Sequence, residues 1–261
     1  MPRFPFAQGA FRAPARFALA SLAAATMLQA EVVATFSGGN SQAVPDAYPG
    51  QQGGGWLTPW QTKSLNAQIL DIQVSEDGRF SGKSSLSIKG VTQSPSGEAA
   101  AGFAVVRAYG ESGSDTDLEA ELHYDFSIRL DTVSRETRYV IFDANKAQPN
   151  SGPNATWQLS AQGGFWRVVD GSGNGGQQTE LNTGLPALAD VVYTFSITAN
   201  PATRTWSVTI QGDKQTVSLD KLNFRSSESK LGGNIHFGFS DADPSTPTDF
   251  QYAITGIQIG R

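Results

Sequence analysis

From Glu31 to the C-terminus, hydrophobic and polar positions alternate with a period of two. Leu118, Ala120, Leu122, Tyr124, Phe126, Ile128 and Leu130 interleave with Glu119, Glu121, His123, Asp125, Ser127 and Arg129. Successive side chains of an extended strand point to opposite faces, so this run predicts one long strand with a buried and a solvated face. Tyr193, Phe195 and Ile197 alternate with threonine and serine, as do Trp206, Val208 and Ile210, and the turn cluster Ala199–Thr203 joins the two runs into a hairpin. Ile235, Phe237 and Phe239 repeat the pattern. Tyr252 and Ile254 do so too, before Ile257 and Ile259 change phase across Gly256, the mark of a β-bulge. Further strands are predicted at 32–36, 69–74, 85–89, 102–108, 138–143, 157–161 and 165–169. Sustained helical periodicity is missing from residue 31 onward. About a dozen short strands with Gly, Pro, Asn and Ser between them predict a single all-β, two-sheet antiparallel sandwich over residues 31–261.

Residues 1–30 break this pattern. Arg3, Arg12 and Arg16 precede the apolar run Phe17–Leu28, no acidic residue occurs before Glu31, and the run ends at Ala30. That arrangement predicts a secretory signal peptide, too short to span a bilayer, and a mature chain with no membrane span. The 261 residues contain no cysteine, which excludes disulfides, thiolate metal sites and a cysteine nucleophile. An exported chain without cysteine fits a secreted, periplasmic or cell-surface protein of a bacterium. With 19 Lys+Arg against 24 Asp+Glu, the net charge of −5 argues against nucleic acid as a partner. Phosphate-binding loops, dinucleotide fingerprints, zinc-hydrolase helices and nucleophile elbows are all missing.

Several stretches resemble the concanavalin A-like, LamG-like jelly-roll superfamily found in secreted bacterial proteins. They are Phe36-Ser37-Gly38-Gly39, the Gly50–Trp60 segment with Trp56 and Trp60, Trp157-Gln158-Leu159, Trp166–Gly171, the hairpin around residues 193–210, and the closing strand Asp249–Gly260. The resemblance covers most of residues 31–261 and implies a jelly-roll sandwich that binds glycans, cuts them or builds surfaces. Two catalytic signatures of the superfamily are missing here. One is the Glu-x-Asp-x-x-Glu of its laminarinase-type hydrolases; the other is the Gln-Ile-His or Gln-Val-His, with Tyr-x-Lys-x-Gly, of its alginate-lyase-type members. Relatives also hold calcium near where the first and last strands meet, which makes Asp249 a candidate Ca²⁺ ligand, with Asp241, Asp243 and the backbone of 38–40 near it.

The richest polar face joins Glu119, Glu121, His123, Asp125 and Arg129. Residues two apart on a strand project the same way about 7 Å apart, a spacing that suits carboxylates flanking a glycosidic bond. A histidine between carboxylates suits a lyase base. A solvated face whose charges discourage edge pairing accounts for the same residues. His236 shares a face with Asn234 and Ser240, and a shared groove with His123 requires both to lie on one sheet. Trp56 and Trp60, in a Gly/Pro-rich loop, are candidate stacking platforms for a sugar ring or else a plug over one end of the sandwich. Trp157 and Trp206 keep phase with the core. The expected function is a non-catalytic, lectin-like carbohydrate-binding module. A polysaccharide lyase or glycoside hydrolase using Glu121, His123 and Asp125 is the alternative, and a structural or adhesion domain the third.

Overall fold

The computed structural model describes residues 30–36, 47–48, 55–92, 101–110, 116–134, 137–145, 152–173, 178–241 and 247–261. The leader expected over residues 1–30 lies outside this set except for Ala30. In chain order the strands are β1 Ala30–Ala34, β2 Ala47–Tyr48, β3 Trp60–Leu65, β4 Ala67–Asp77, β5 Lys83–Thr92, β6 Ala101–Ala108, β7 Leu122–Leu130 and β8 Thr137–Ala144. They continue as β9 Ala155–Gln162, β10 Phe165–Gly171, β11 Gln178–Pro186, β12 Val192–Asn200, β13 Thr205–Gln211, β14 Thr216–Asn223, β15 Asn234–Asp241 and β16 Asp249–Gly260. Among the described residues no helix is long and apolar enough to cross a membrane.

These strands form two antiparallel sheets. The first runs β14-β13-β12-β7-β16-β5-β4, with β1 also paired to β16; the second runs β11-β10-β9-β8-β15-β6-β3-β2. This is the two-sheet antiparallel sandwich that the alternation predicts, of the jelly-roll kind that the resemblance implies, and its inner faces supply one large core. Leu122, Tyr124, Phe126 and Ile128 of β7 point into that core together with Phe195 and Ile197 of β12 and Ile254 and Ile259 of β16. Trp157, Leu159, Trp166, Phe237 and Phe239 meet them from the second sheet. The hairpin forms, with Ala199 opposite Trp206, but β12 extends through Asn200 and the turn lies at 201–204 instead of 199–203. Gly256 takes φ 63°, and the β16–β7 register slips between Thr255 and Gln258, so the change of phase is a bulge. Of the adjacent aromatics on β10, Trp166 is buried and Phe165 exposed, as alternation requires.

The two sheets differ in how their outer faces are treated. β7 and β12 alternate between buried and partly exposed residues along most of their length. By contrast β6, β8, β9 and β15 are buried at nearly every position, on both faces. On the outer side of the second sheet Val140 and Phe142 belong to a small second apolar cluster, separate from the core. The outer face of that sheet is therefore only partly open to solvent. Part of the cover is the segment after β14, which crosses from the first sheet to the second. Its path is fixed by hydrogen bonds from the Ser226 amide to the Ala155 carbonyl (2.8 Å) and from the Gly173 amide to the Phe224 carbonyl (2.7 Å). Gly171 permits the close approach, since a Cβ there would come within 2.2 Å of the Phe224 carbonyl oxygen.

Candidate functional site

Cross-strand register shows what lies under this cover. One row on the outer face of the second sheet reads Lys63, Ala104, Gly238, Val140, Ser160, Arg167. The rows on either side contain Gly102, Ser240 and Arg138, and Val106, His236, Phe142 and Gln158. Small residues in the middle leave a trough whose floor is flat and mostly apolar. The groove has a volume of about 280 Å³, lined by Gly102, Ala104, Gly238 and Val140 with Arg138, Phe142, Gln158 and Arg225 around them and the turn Gly152–Pro153 at its margin.

The polar groups at its rim are held in place. Arg225 Nη1 donates to Gln158 Oε1 (2.9 Å), and Arg138 Nη2 donates to Glu180 Oε1 (3.1 Å), which also accepts from Ser160 Oγ (2.7 Å). Burial, and then the neighbouring Arg138 charge, lower the pKa of Arg225. His236 is fully buried on this same face, its ring stacked on Phe142 at 4.2 Å. Because β15 belongs to the second sheet and β7 to the first, His236 and His123 do not share a face.

The sequence-selected residues lie elsewhere. β7 begins at Leu122, so Glu119 and Glu121 precede it instead of extending its polar face; the Glu119 amide closes a turn onto Asp117. Glu121 and His123 do come together. Glu121 Oε2 accepts from Asn200 Nδ2 (2.7 Å), its Oε1 lies 3.9 Å from His123 Nε2, and His123 Nδ1 shares a hydrogen bond with Thr198 Oγ1 (2.9 Å). Asp125 sits two residues on, between Ser196 of β12 and Gln258 of β16, on the outer face of the first sheet.

Arg129 is not a ligand-facing residue. Its guanidinium is almost fully withdrawn from solvent, ion-paired to Asp77 and Asp131 and placed 5.6 Å over the Phe80 ring. The two acids hold it against the outer face of the first sheet, where it clamps the end of β4 to β7.

The tryptophans of the 50–60 segment also differ from expectation. Trp60 is not in a loop but begins β3, where it is fully buried against Phe36, Trp56 and Phe237 at centroid distances of 6.1, 5.7 and 6.2 Å. Trp56 is half-buried, its Nε1 donating to the Val33 carbonyl (2.8 Å). Beside them lies Arg107, buried on the inner side of β6, its guanidinium 4.5 Å from the Trp56 ring and 5.6 Å from that of Trp60. Burial lowers the Arg107 pKa to about 10, which leaves it charged at neutral pH. The cation packs against both indoles. Trp60 belongs to the core and Trp56 packs against it.

Asp249 is exposed at the start of β16. Among the described residues no three His, Asp or Glu side chains converge as a calcium ion needs, and Asp243 and 38–40 lie outside them.

No protein-family model matches the sequence, and no curated protein matches it. Solved structures do. A GH131 β-glucanase catalytic domain from Podospora anserina superimposes with a TM-score of 0.51 at 12% identity, over 78% of this chain and 86% of that one. The lectin UEA-II complexed with galactose gives 0.45 at 10% identity, over 83% and 95%. The binding domain of botulinum neurotoxin serotype C1 gives 0.47 at 13% identity over 77% of this chain, which spans only 44% of that longer one. At these identities the likeness is one of fold, the jelly-roll sandwich.

Proposed function

We propose that this chain is a non-catalytic, lectin-like carbohydrate-binding module of an exported bacterial protein, with its ligand in the groove on the outer face of the second sheet. The observation that carries the reading is the groove itself: a flat floor of small apolar residues with two guanidiniums and a carboxamide at its rim. A pyranose packs its C–H face on such a floor while its ring substituents bond to fixed polar groups. Glycosidases need two carboxyl groups about 5–10 Å apart. The described lining contains none, and Glu180 at the rim is held by Arg138 and Ser160. The LamG-like affiliation, a cleaved leader and calcium at Asp249 belong to the same proposal.

A second reading rests on the Asn200–Glu121–His123–Thr198 chain, which orients an imidazole beside a carboxylate on the first sheet. It corresponds to a lyase or hydrolase. A glycan array run beside an assay for reducing ends and unsaturated uronates separates the two. Binding without product release supports the module. Product release that His123→Ala abolishes replaces it with the enzyme. Neither binding nor release leaves a structural or adhesion domain.

A further inference from the structure

The groove contains a chemical preference that its shape alone does not explain. Arg138 and Arg225 face one another across an apolar floor, and they repel. Glu180 offsets Arg138, whereas among the described residues Arg225 has only the neutral Gln158 as a partner. The Nε atoms of both arginines are shielded from solvent and have no hydrogen-bond partner. A guanidinium is a rigid five-donor fork, and burying its donors without acceptors is unfavourable. Both forks line this groove, and Glu180 is paired with Arg138 alone, in a chain whose net charge is −5. Two partly buried cations of like sign disfavour one another, and an anion in the groove relieves that repulsion.

We propose that this groove is a subsite for the carboxylate of a uronate residue within an acidic polysaccharide, the carboxylate lying between the Arg138 and Arg225 guanidiniums and the sugar ring on the Gly238–Val140 floor. This deepens the carbohydrate-binding reading and rests on it. Guanidinium and carboxylate pair as planar, bidentate partners. At about 280 Å³ the groove has room for one ring and its carboxylate. An inorganic anion would satisfy the arginines but leave the apolar floor uncovered. The overall acidity of the chain disfavours diffuse polyanion binding, but it does not oppose recognition of a single carboxylate by a local pair of cations.

The test is calorimetric titration of the full chain with oligouronates, with the same oligosaccharides after reduction of their carboxyl groups to alcohols, and with sodium sulfate. The oligouronates are expected to bind, the reduced forms at least tenfold more weakly, and sulfate more weakly than the intact oligouronates. Arg225→Ala is expected to lower oligouronate affinity at least tenfold without lowering Tm, because it removes a repelled cation, and Arg225→Lys to restore part of the loss. Equal binding of intact and reduced oligosaccharides overturns the inference and leaves the carbohydrate reading standing. Sulfate binding as tight as oligouronate overturns it as an anion-only site. Failure of every glycan, acidic or neutral, overturns both. The intact-versus-reduced comparison needs no variant, so it decides the matter even if Arg225→Ala does not fold.

Discussion

Trp60→Ala lowers the unfolding free energy by about 3–5 kcal/mol, the cost of removing a fully buried large aromatic from a core that cannot collapse around the gap. Trp60 contacts Phe36, Trp56 and Phe237, so truncation opens a cavity where β3 meets the core. It also strips one aromatic face from the buried Arg107, whose charge then has less to compensate its desolvation. Trp206→Ala is the calibration: that indole is likewise buried, and its Nε1 donates to the Asn223 carbonyl (3.2 Å). Denaturant unfolding of both variants is expected to give losses of similar size. Trp60→Phe costs less, because the ring contacts largely remain and the Trp60 indole N–H has no hydrogen-bond partner to lose. A Trp60→Ala protein as stable as the parent would mean that this residue is an exposed platform after all.

Asp143 produces the second large effect, through pH. It is fully buried; its Oδ1 accepts from the Tyr109 hydroxyl (2.9 Å), its Oδ2 from the Gly232 amide (2.6 Å), and Tyr109 pairs with Tyr124 (2.7 Å). Burial pushes its pKa up from 3.8 to about 6, despite the hydrogen bonds from Gly232 and Tyr109 that act the other way. Burial and the Asp143 charge also push both tyrosines well above their ordinary range, so they stay neutral. The folded state therefore holds a proton on Asp143 over a window in which the unfolded chain has lost it. Stability from this group is full below about pH 4, falls as pH rises to about 6, and is flat above. A shift of about two pH units corresponds to about 3 kcal/mol. Asp143→Asn removes the titration, so parent stability minus variant stability should fall by about 3 kcal/mol between pH 3 and pH 7. The other carboxylates cancel in that difference. A difference independent of pH would show that Asp143 is not titrating in a buried site.

Strand alternation made the first sheet legible. β7, β12, β13 and the bulge in β16 follow from which positions are apolar, because one face of each meets water and the other meets the core. The second sheet was harder to read. Val105-Val106 and Val140-Ile141-Phe142 are unbroken apolar runs, the pattern of a strand covered on both faces. That pattern was the signal for a covered outer surface, but it does not say what covers it. Arg225 is the clearest case: it reaches the groove because the segment after β14 crosses between sheets, held by Ser226 and Gly171, and no local period encodes that path. Arg129 was misread for a related reason, since its partner Asp77 lies 52 residues away and arrives only when β4 and β7 are folded into one sheet. Trp60 follows Pro59 and a Gly-rich stretch, so local composition favoured a loop, and only pairing of β3 with β6 takes it inside.

Placement of the ligand site on the outer face of the second sheet is tested most directly by a glycan titration followed through backbone amide chemical shifts of the isotope-labelled protein. The predicted result is that the amides of Gly102, Gly238 and Ser240, with Gly152 and Arg225 beside them, move with saturating glycan while those around His123 do not. Shifts confined to His123, Thr198 and Gln258 on the first sheet would contradict it.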